Sequence, residues 1–241
     1  MKQAKLYDIV DNCPVEFYLS TNDSCHIHWP YRMQPVHEAS PMYRNDADKY
    51  IVDSSFKHED ITNVDALDKA HDLGADMVVL EDVYQDFAGT VEKVSQGLEL
   101  AKSHDFTGEV IAPLQKPWVE CWQETGTPTT VAIGGLKDAP ASEKVRVAQK
   151  LRDATGPNVW IHGLGWGATE PVINAVRSDP NLLDSIDAQT PYASENNDAI
   201  WKGKHKSVPT AIRSQANLIE ACRRMNPEMT ENPNPGTQTT L

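Results

Sequence analysis

Short apolar runs alternate along this chain with longer segments of helical periodicity. Tyr50-Ile51-Val52-Asp53 is one such run. Asn63 to Leu73 follows it, with Val64, Leu67, Ala70 and His71 on one face and Gly74 as a C-cap. Met77-Val78-Val79-Leu80 is the next run, and Thr90 is placed to cap a helix through Ser103 with Val91, Val94, Leu98 and Ala101 as its stripe. Glu109-Val110-Ile111-Ala112-Pro113-Leu114 delivers Gln115. Thr130-Val131-Ala132-Ile133 runs into Gly134-Gly135, and a helix after Pro140 carries Val145, Ala148 and Leu151. Val159-Trp160-Ile161-His162 leads into Gly163-Leu164-Gly165, and a helix spans Glu170 to Val176. Leu183 to Asp187 then precedes a polar loop and a last helix, from about Pro209 to Met225, whose stripe is Ile212, Ala216, Ile219 and Cys222.

Strands alternating with helices at this spacing predict a parallel sheet with right-handed crossovers. Upstream of the regular part, Val15 to Ser20 reads as a strand, and Pro30, Pro35 and Pro41 mark a long irregular loop. With about seven strands, the best fit is an α/β fold of the (β/α)8 TIM-barrel type with one irregular or missing member; an open doubly wound sheet is the alternative. The 241 residues suit one barrel of roughly 250 residues. The expectation is one catalytic domain over residues 1–225 and a disordered tail over 226–241, where Pro, Asn and Thr replace any periodicity.

If the strands are parallel neighbours, their carboxyl ends share one face, and that face holds Asp53, Asp82, Gln115, Gly134, Gly135, Gly163, Gly165 and Asp187. Asp184 and Asp187 could instead only cap the following turn. Carboxylates, one amide and exposed glycine backbone suit a flat polar heterocycle. A carboxylate accepts from paired N–H groups, and a glycine N–H donates to a carbonyl oxygen without a side chain in the way. Guanine presents that pattern.

Charge narrows the choice of partner. A net charge of −13 argues against a general nucleic-acid coat, so any polyanion must meet a local patch. The densest basic region is Trp201-Lys202-Gly203-Lys204-His205-Lys206-Ser207, then Arg213 and Arg223-Arg224, just after Asp187; it reads as a phosphate-binding loop with an aromatic for base stacking, with a merely solvated basic loop as the alternative. No apolar run is long enough for a membrane span, and the N-terminus lacks the apolar core of a signal peptide, so a cytoplasmic protein is expected. Cys13, Cys25, Cys121 and Cys222 are scattered and read as free thiols. Cys25-His26-Ile27-His28 has no second ligand pair, so no metal is expected.

The ordered strand-end motifs resemble the tRNA-guanine transglycosylase superfamily, and within it the DNA-acting branch of DpdA-like DNA-guanine transglycosylases, of phage or archaeal-virus type. Val52-Asp53-Ser54-Ser55-Phe56 resembles the family's Asp-Ser-Gly-Gly-Phe-Gln segment, and Met77 to Asp82 its strand ending in a guanine-binding Asp. Leu114-Gln115 resembles its Val-Gln, and Ala132-Ile133-Gly134-Gly135-Leu136 contains its Gly-Gly-Leu. His162-Gly163-Leu164-Gly165 and Asp184-Ser185-Ile186-Asp187 resemble the next two motifs, the last ending in the nucleophile. The resemblance covers roughly residues 50–191 and implies Asp187 as nucleophile and Asp53 as general acid/base. Asp82, Gln115, Gly134, Gly135, Leu136, Gly163, Gly165 and Asp184 would surround the base.

The implied activity is exchange of guanine in DNA for a 7-deazaguanine such as preQ0 or preQ1, in DNA modification that protects from restriction, without a cofactor. DNA and the free base would be the partners, and a homodimer is left open. Ser54-Ser55 and Lys57 depart from the family's Gly-Gly and Gln, which changes the sugar side of the pocket. The zinc subdomain's Cys-x-Cys-x-x-Cys is absent, which favours DNA over tRNA. The alternatives are a tRNA-acting catalytic subunit and a non-catalytic barrel that binds a nucleobase or nucleic acid.

Overall fold

A computed structural model describes residues 8–20, 29–54, 60–188 and 210–230. Eight parallel strands close into a barrel in chain order: β1 (Glu16–Leu19), β2 (Tyr31–Pro35), β3 (Lys49–Asp53), β4 (Met77–Val79), β5 (Glu109–Leu114), β6 (Thr130–Ile133), β7 (Trp160–Gly163) and β8 (Ser185–Ala188). Closure is made by β8 on β1, with Phe17 opposite Ile186 and Tyr18 opposite Asp187. The helices are α1 (Pro41–Asn45), α2 (Asn63–Leu73), α3 (Phe87–Ala101), α4 (Trp118–Glu124), α5 (Ala141–Thr155), α6 (Glu170–Ser178) and α7 (Thr210–Met225).

Side chains alternate across each strand, so one set fills the barrel and the other meets the helices. Tyr18, Met33, Ile51, Met77, Val79, Ile111 and Ala132 form the interior cluster. The larger apolar layer lies outside it, for example Phe17, Leu114, Val131, Ile133, Ile161 and Ile186 packed with Val94, Val147, Leu151 and Val172 from the helices. Both faces of every strand are therefore covered, which is why the strands read as continuous apolar runs.

The strand that the sequence leaves unread is β2. Its residues lie between prolines in what looks like a loop, and its outward face carries Arg32 and Gln34 rather than apolar groups. Both are buried, with the Arg32 guanidinium 5.6 Å from the centre of the Tyr43 ring on α1. Pro35 is tolerated because it ends the strand, opposite Asp53. The count is thus eight strands, with no missing member and no open edge.

Other boundaries move for local reasons. α3 begins at Phe87 because Asp86 caps it, accepting from the Gly89 N–H; Thr90 is buried one turn in and donates to the Val83 carbonyl. On α2 the buried face is Ala66, Leu67 and Ala70, whereas Val64 and His71 are exposed. Helix α4 has only seven residues, too few to show a period. The chain stays ordered past Met225: buried Asn226 donates to the Asn12 carbonyl at 2.6 Å and a 3-10 turn covers Pro227–Thr230. A side-chain bond, invisible to periodicity, holds a stretch that composition assigns to the tail. No helix among the described residues is long and apolar enough to cross a membrane.

Candidate active site

Parallel closure brings all eight carboxyl ends to one mouth, and Asp187 lies at its floor near the end of β8, 7% exposed. It belongs to the inward-facing set with Ser185, and three elements hold its carboxylate. The Gly165 N–H, in the loop after β7, donates to Oδ1 at 2.5 Å. His162 Nε2 lies 3.2 Å from the same oxygen, and the Ser20 hydroxyl, just past β1, donates to Oδ2 at 2.9 Å. Gly165 adopts φ +66°, a left-handed conformation that favours glycine and turns this amide toward the carboxylate. Oδ1 is saturated by two donors; Oδ2 keeps a lone pair for chemistry.

His162 is fully buried inside the barrel, stacked on Trp160 with an interplanar angle of 11° and edge-on to Tyr18. Its Nδ1 lies 2.6 Å from the Ser185 hydroxyl. With Ser185 donating to Nδ1, Nε2 carries the proton that Asp187 accepts, so every polar atom in the row is satisfied. The row Ser185–His162–Asp187 contains the side chains of a hydrolytic triad in the opposite orientation. Ser185 has no exposed surface and sits deepest, and the carboxylate is the member that meets the mouth. The group this arrangement presents to the mouth is a carboxylate, oriented by histidine.

A second cluster stands across the mouth at the ends of β4, β5 and β6. Gln115 Nε2 donates to Asp82 Oδ2 at 2.5 Å, and Gln115 Oε1 accepts from the Gln85 N–H at 3.1 Å. Burial pushes the Asp82 carboxyl above its usual range, opposed by the Gln115 bond. Gly134 and Gly135 are required by this packing. A Cβ on Gly134 would stand 2.7 Å from Gln115 Nε2, and one on Gly135, at φ +74°, would stand 2.2 Å from Gln115 Oε1. The Gly134 carbonyl is occupied by the Trp118 indole N–H at 3.0 Å. What remains for a ligand is Asp82 Oδ1, the second Gln115 amide hydrogen and the Gly135 N–H.

The other expected residues divide. Asp53 ends β3 at the same mouth, half-buried. Its neighbour Ser54 is buried and bonds to the Leu80 carbonyl, tying the ends of β3 and β4 together. Gly163 makes room for Trp166, whose ring would lie 2.7 Å from an added Cβ. Leu136 is 4% exposed and belongs to the outer apolar layer, so its side chain is core rather than a base contact. Asp184 precedes β8, at the opposite end of the barrel from the mouth. It pairs there with Arg152 at 2.6 Å and accepts from the Ile161 N–H at 2.7 Å. It is a structural tie and does not join the site.

Lys202, Lys204 and Lys206 lie outside the described residues, as do Ser55, Lys57 and the Cys25/His26/His28 cluster; Arg213 is placed only as a position on α7.

No protein-family model matches this chain, and no curated protein does. The site is therefore characterised by its own geometry.

Three participants are not singled out by the sequence reading. Ser20 is inward by its alternation with Tyr18. His162 reads as a packed histidine, and it is packed, but with Nε2 on Asp187. Lys144 has a signal in retrospect: with Val147, Ala148 and Leu151 it occupies the apolar stripe of α5, a place where a lysine is out of pattern.

Proposed function

We propose that this protein is a nucleic-acid guanine transglycosylase acting on DNA, exchanging guanine for a 7-deazaguanine base through a covalent aspartyl-sugar intermediate. The observation that carries the reading is the Asp187 carboxylate, held by three donors with one lone pair open, on the same mouth as a part-buried Asp82–Gln115 pair backed by Gly135. A base held by Asp82, Gln115 and the Gly135 N–H leaves its sugar over the mouth. Oδ2 of Asp187 then approaches the anomeric carbon from the face opposite the base.

In the first displacement an Asp187 oxygen forms an ester bond to the anomeric carbon while the bond to guanine N9 breaks. Asp53, in its acid form, gives the departing base a proton. In the second, the incoming 7-deazaguanine loses its N9 proton to Asp53, bonds to the anomeric carbon and displaces Asp187 as a free carboxylate. Two inversions restore the original configuration. Hydrogen bonds from Gly165, Ser20 and His162 hold the carboxylate in one orientation as attacker and as leaving group.

A duplex must release the nucleotide before its sugar can reach a carboxylate on the floor of the mouth. Single-stranded or mismatched DNA is therefore the better substrate. DNA rather than tRNA is proposed on the resemblance of the strand-end motifs to the DNA-acting branch of the superfamily.

The test is incorporation of labelled guanine into DNA and, separately, into tRNA. Label in DNA that disappears with Asp187→Asn supports the proposal. Label only in tRNA moves the polymer, and label in neither refutes base exchange.

A further inference from the structure

The N-terminus of α5 opens on the same mouth as Asp187, because the helix starts just after the Gly134–Gly135 turn. Its N-cap is Pro140, which offers no side chain to the first-turn amides. The amides of Glu143 and Lys144 bond back to the Pro140 carbonyl. Those of Ala141 and Ser142 have no acceptor among the described residues, and the positive end of a 15-residue helix lies behind them.

Lys144 provides an independent observation at the same place. It is 6% exposed, on the inward stripe of α5, and makes no hydrogen bond or ion pair with a described residue. Burial pushes its ammonium below the usual lysine range, and the charges of Asp187 and then Asp138 oppose that shift. The ammonium is therefore near the reacting carboxylate without being bonded to it. The lysine stem is buried while the ammonium, with no bonded partner among the described residues, keeps some contact with water, and an anion arriving at the first turn would take the place of that water beside the charge. Glu143, the nearest acid along the helix, is engaged by Arg146 at 3.6 Å.

We propose that the first turn of α5, through the amides of Ala141 and Ser142 and the ammonium of Lys144, binds the backbone phosphate flanking the nucleotide whose sugar stands over Asp187. This rests on the base-exchange reading of Asp187 for the identity of the nucleotide, while the anion site itself does not. It also gives a chain of net charge −13 the local positive potential that a polyanion requires.

The experiment measures, by calorimetry, binding of the single-stranded trinucleotide dT-dG-dT to the full chain. The all-phosphodiester form is compared with two forms in which the linkage on one or the other side of dG is an uncharged methylphosphonate. Charged hydrogen bonds of this kind predict that one substitution weakens binding about tenfold. The gap should close in Lys144→Gln and persist in Lys144→Arg. Ala141→Pro removes one open N–H at a position where proline suits a helix start, and it should narrow the gap while leaving the melting temperature in place. Equal binding of all three trinucleotides by the wild-type protein would overturn the proposal, as would an undiminished gap in Lys144→Gln. A gap that behaves as expected in a protein with no base exchange in DNA or tRNA would retain the phosphate site and refute the transglycosylase reading instead.

Discussion

Replacing Asp187 separates two roles that one carboxylate combines. In Asp187→Asn the amide oxygen can stand where Oδ1 stands and keep both its donors, the Gly165 N–H and His162 Nε2. The amide nitrogen then faces Ser20, whose hydroxyl can rotate to accept instead of donate. Only the charge assistance is lost, which costs about 1 kcal/mol or less. Asp187→Ala leaves the same three donors facing a void. Water can replace the partner of Gly165, which is exposed, and of half-buried Ser20, but His162 has no exposed surface and its Nε2–H is stranded. That adds about 1–3 kcal/mol. At about 2–4 °C per kcal/mol for a domain of this size, the alanine variant should melt roughly 2–12 °C below the asparagine variant, which should stay close to wild type. Thermal unfolding followed by circular dichroism, with base exchange measured on the same samples, checks both halves. An asparagine variant as unstable as the alanine variant would refute the hydrogen-bond assignment. An asparagine variant with undiminished exchange would refute the nucleophile.

Gly135→Ala places a side chain at φ +74° and against Gln115 Oε1, so the backbone term alone is roughly 1–2 kcal/mol; free-base affinity should fall well over tenfold while the circular dichroism spectrum is unchanged. Asp82 is held above the ordinary carboxylate range by burial, so the folded protein binds its proton more tightly than the unfolded chain does. Its stabilising contribution is therefore full at acid pH and lost as pH rises through the folded value. Asp82→Asn, which cannot ionise, should be more stable than wild type at neutral pH, with the advantage vanishing below about pH 4 in a melting series. Asp184→Ala breaks the 2.6 Å pair to Arg152, whose side chain is 8% exposed. Because the Asp184 side chain is itself 36% exposed, the loss should be about 2 kcal/mol rather than that of a fully buried pair, with exchange rates below the melting temperature unaltered.

Legibility followed range. The runs ending in Asp53, Gln115, Gly134 and Asp187 were readable as strands because a barrel strand is apolar on both faces, and their carboxyl ends share a rim once the crossovers are right-handed. β2 was not readable, since Arg32 and Gln34 are buried by tertiary packing, Arg32 against the Tyr43 ring of α1, which leaves no local apolar pattern. The two acids of Asp184-Ser185-Ile186-Asp187 look equivalent in the chain. Three residues carry a strand from one end of the barrel toward the other, so one carboxylate meets Arg152 and the other meets His162, Gly165 and Ser20.

By itself, then, the sequence determined the alternation of elements, the parallel sheet they imply and the residues delivered to strand ends. These depend on periodicity and on neighbours a few positions away. Only the tertiary structure decided which delivered residues share an environment: Asp187 against a buried histidine, Gln115 bridging Asp82 and the Gln85 amide, and Lys144 buried near a carboxylate it does not bond. Those contacts join positions far apart in the chain. Their energies depend on burial and mutual distance, which arise only when the barrel closes.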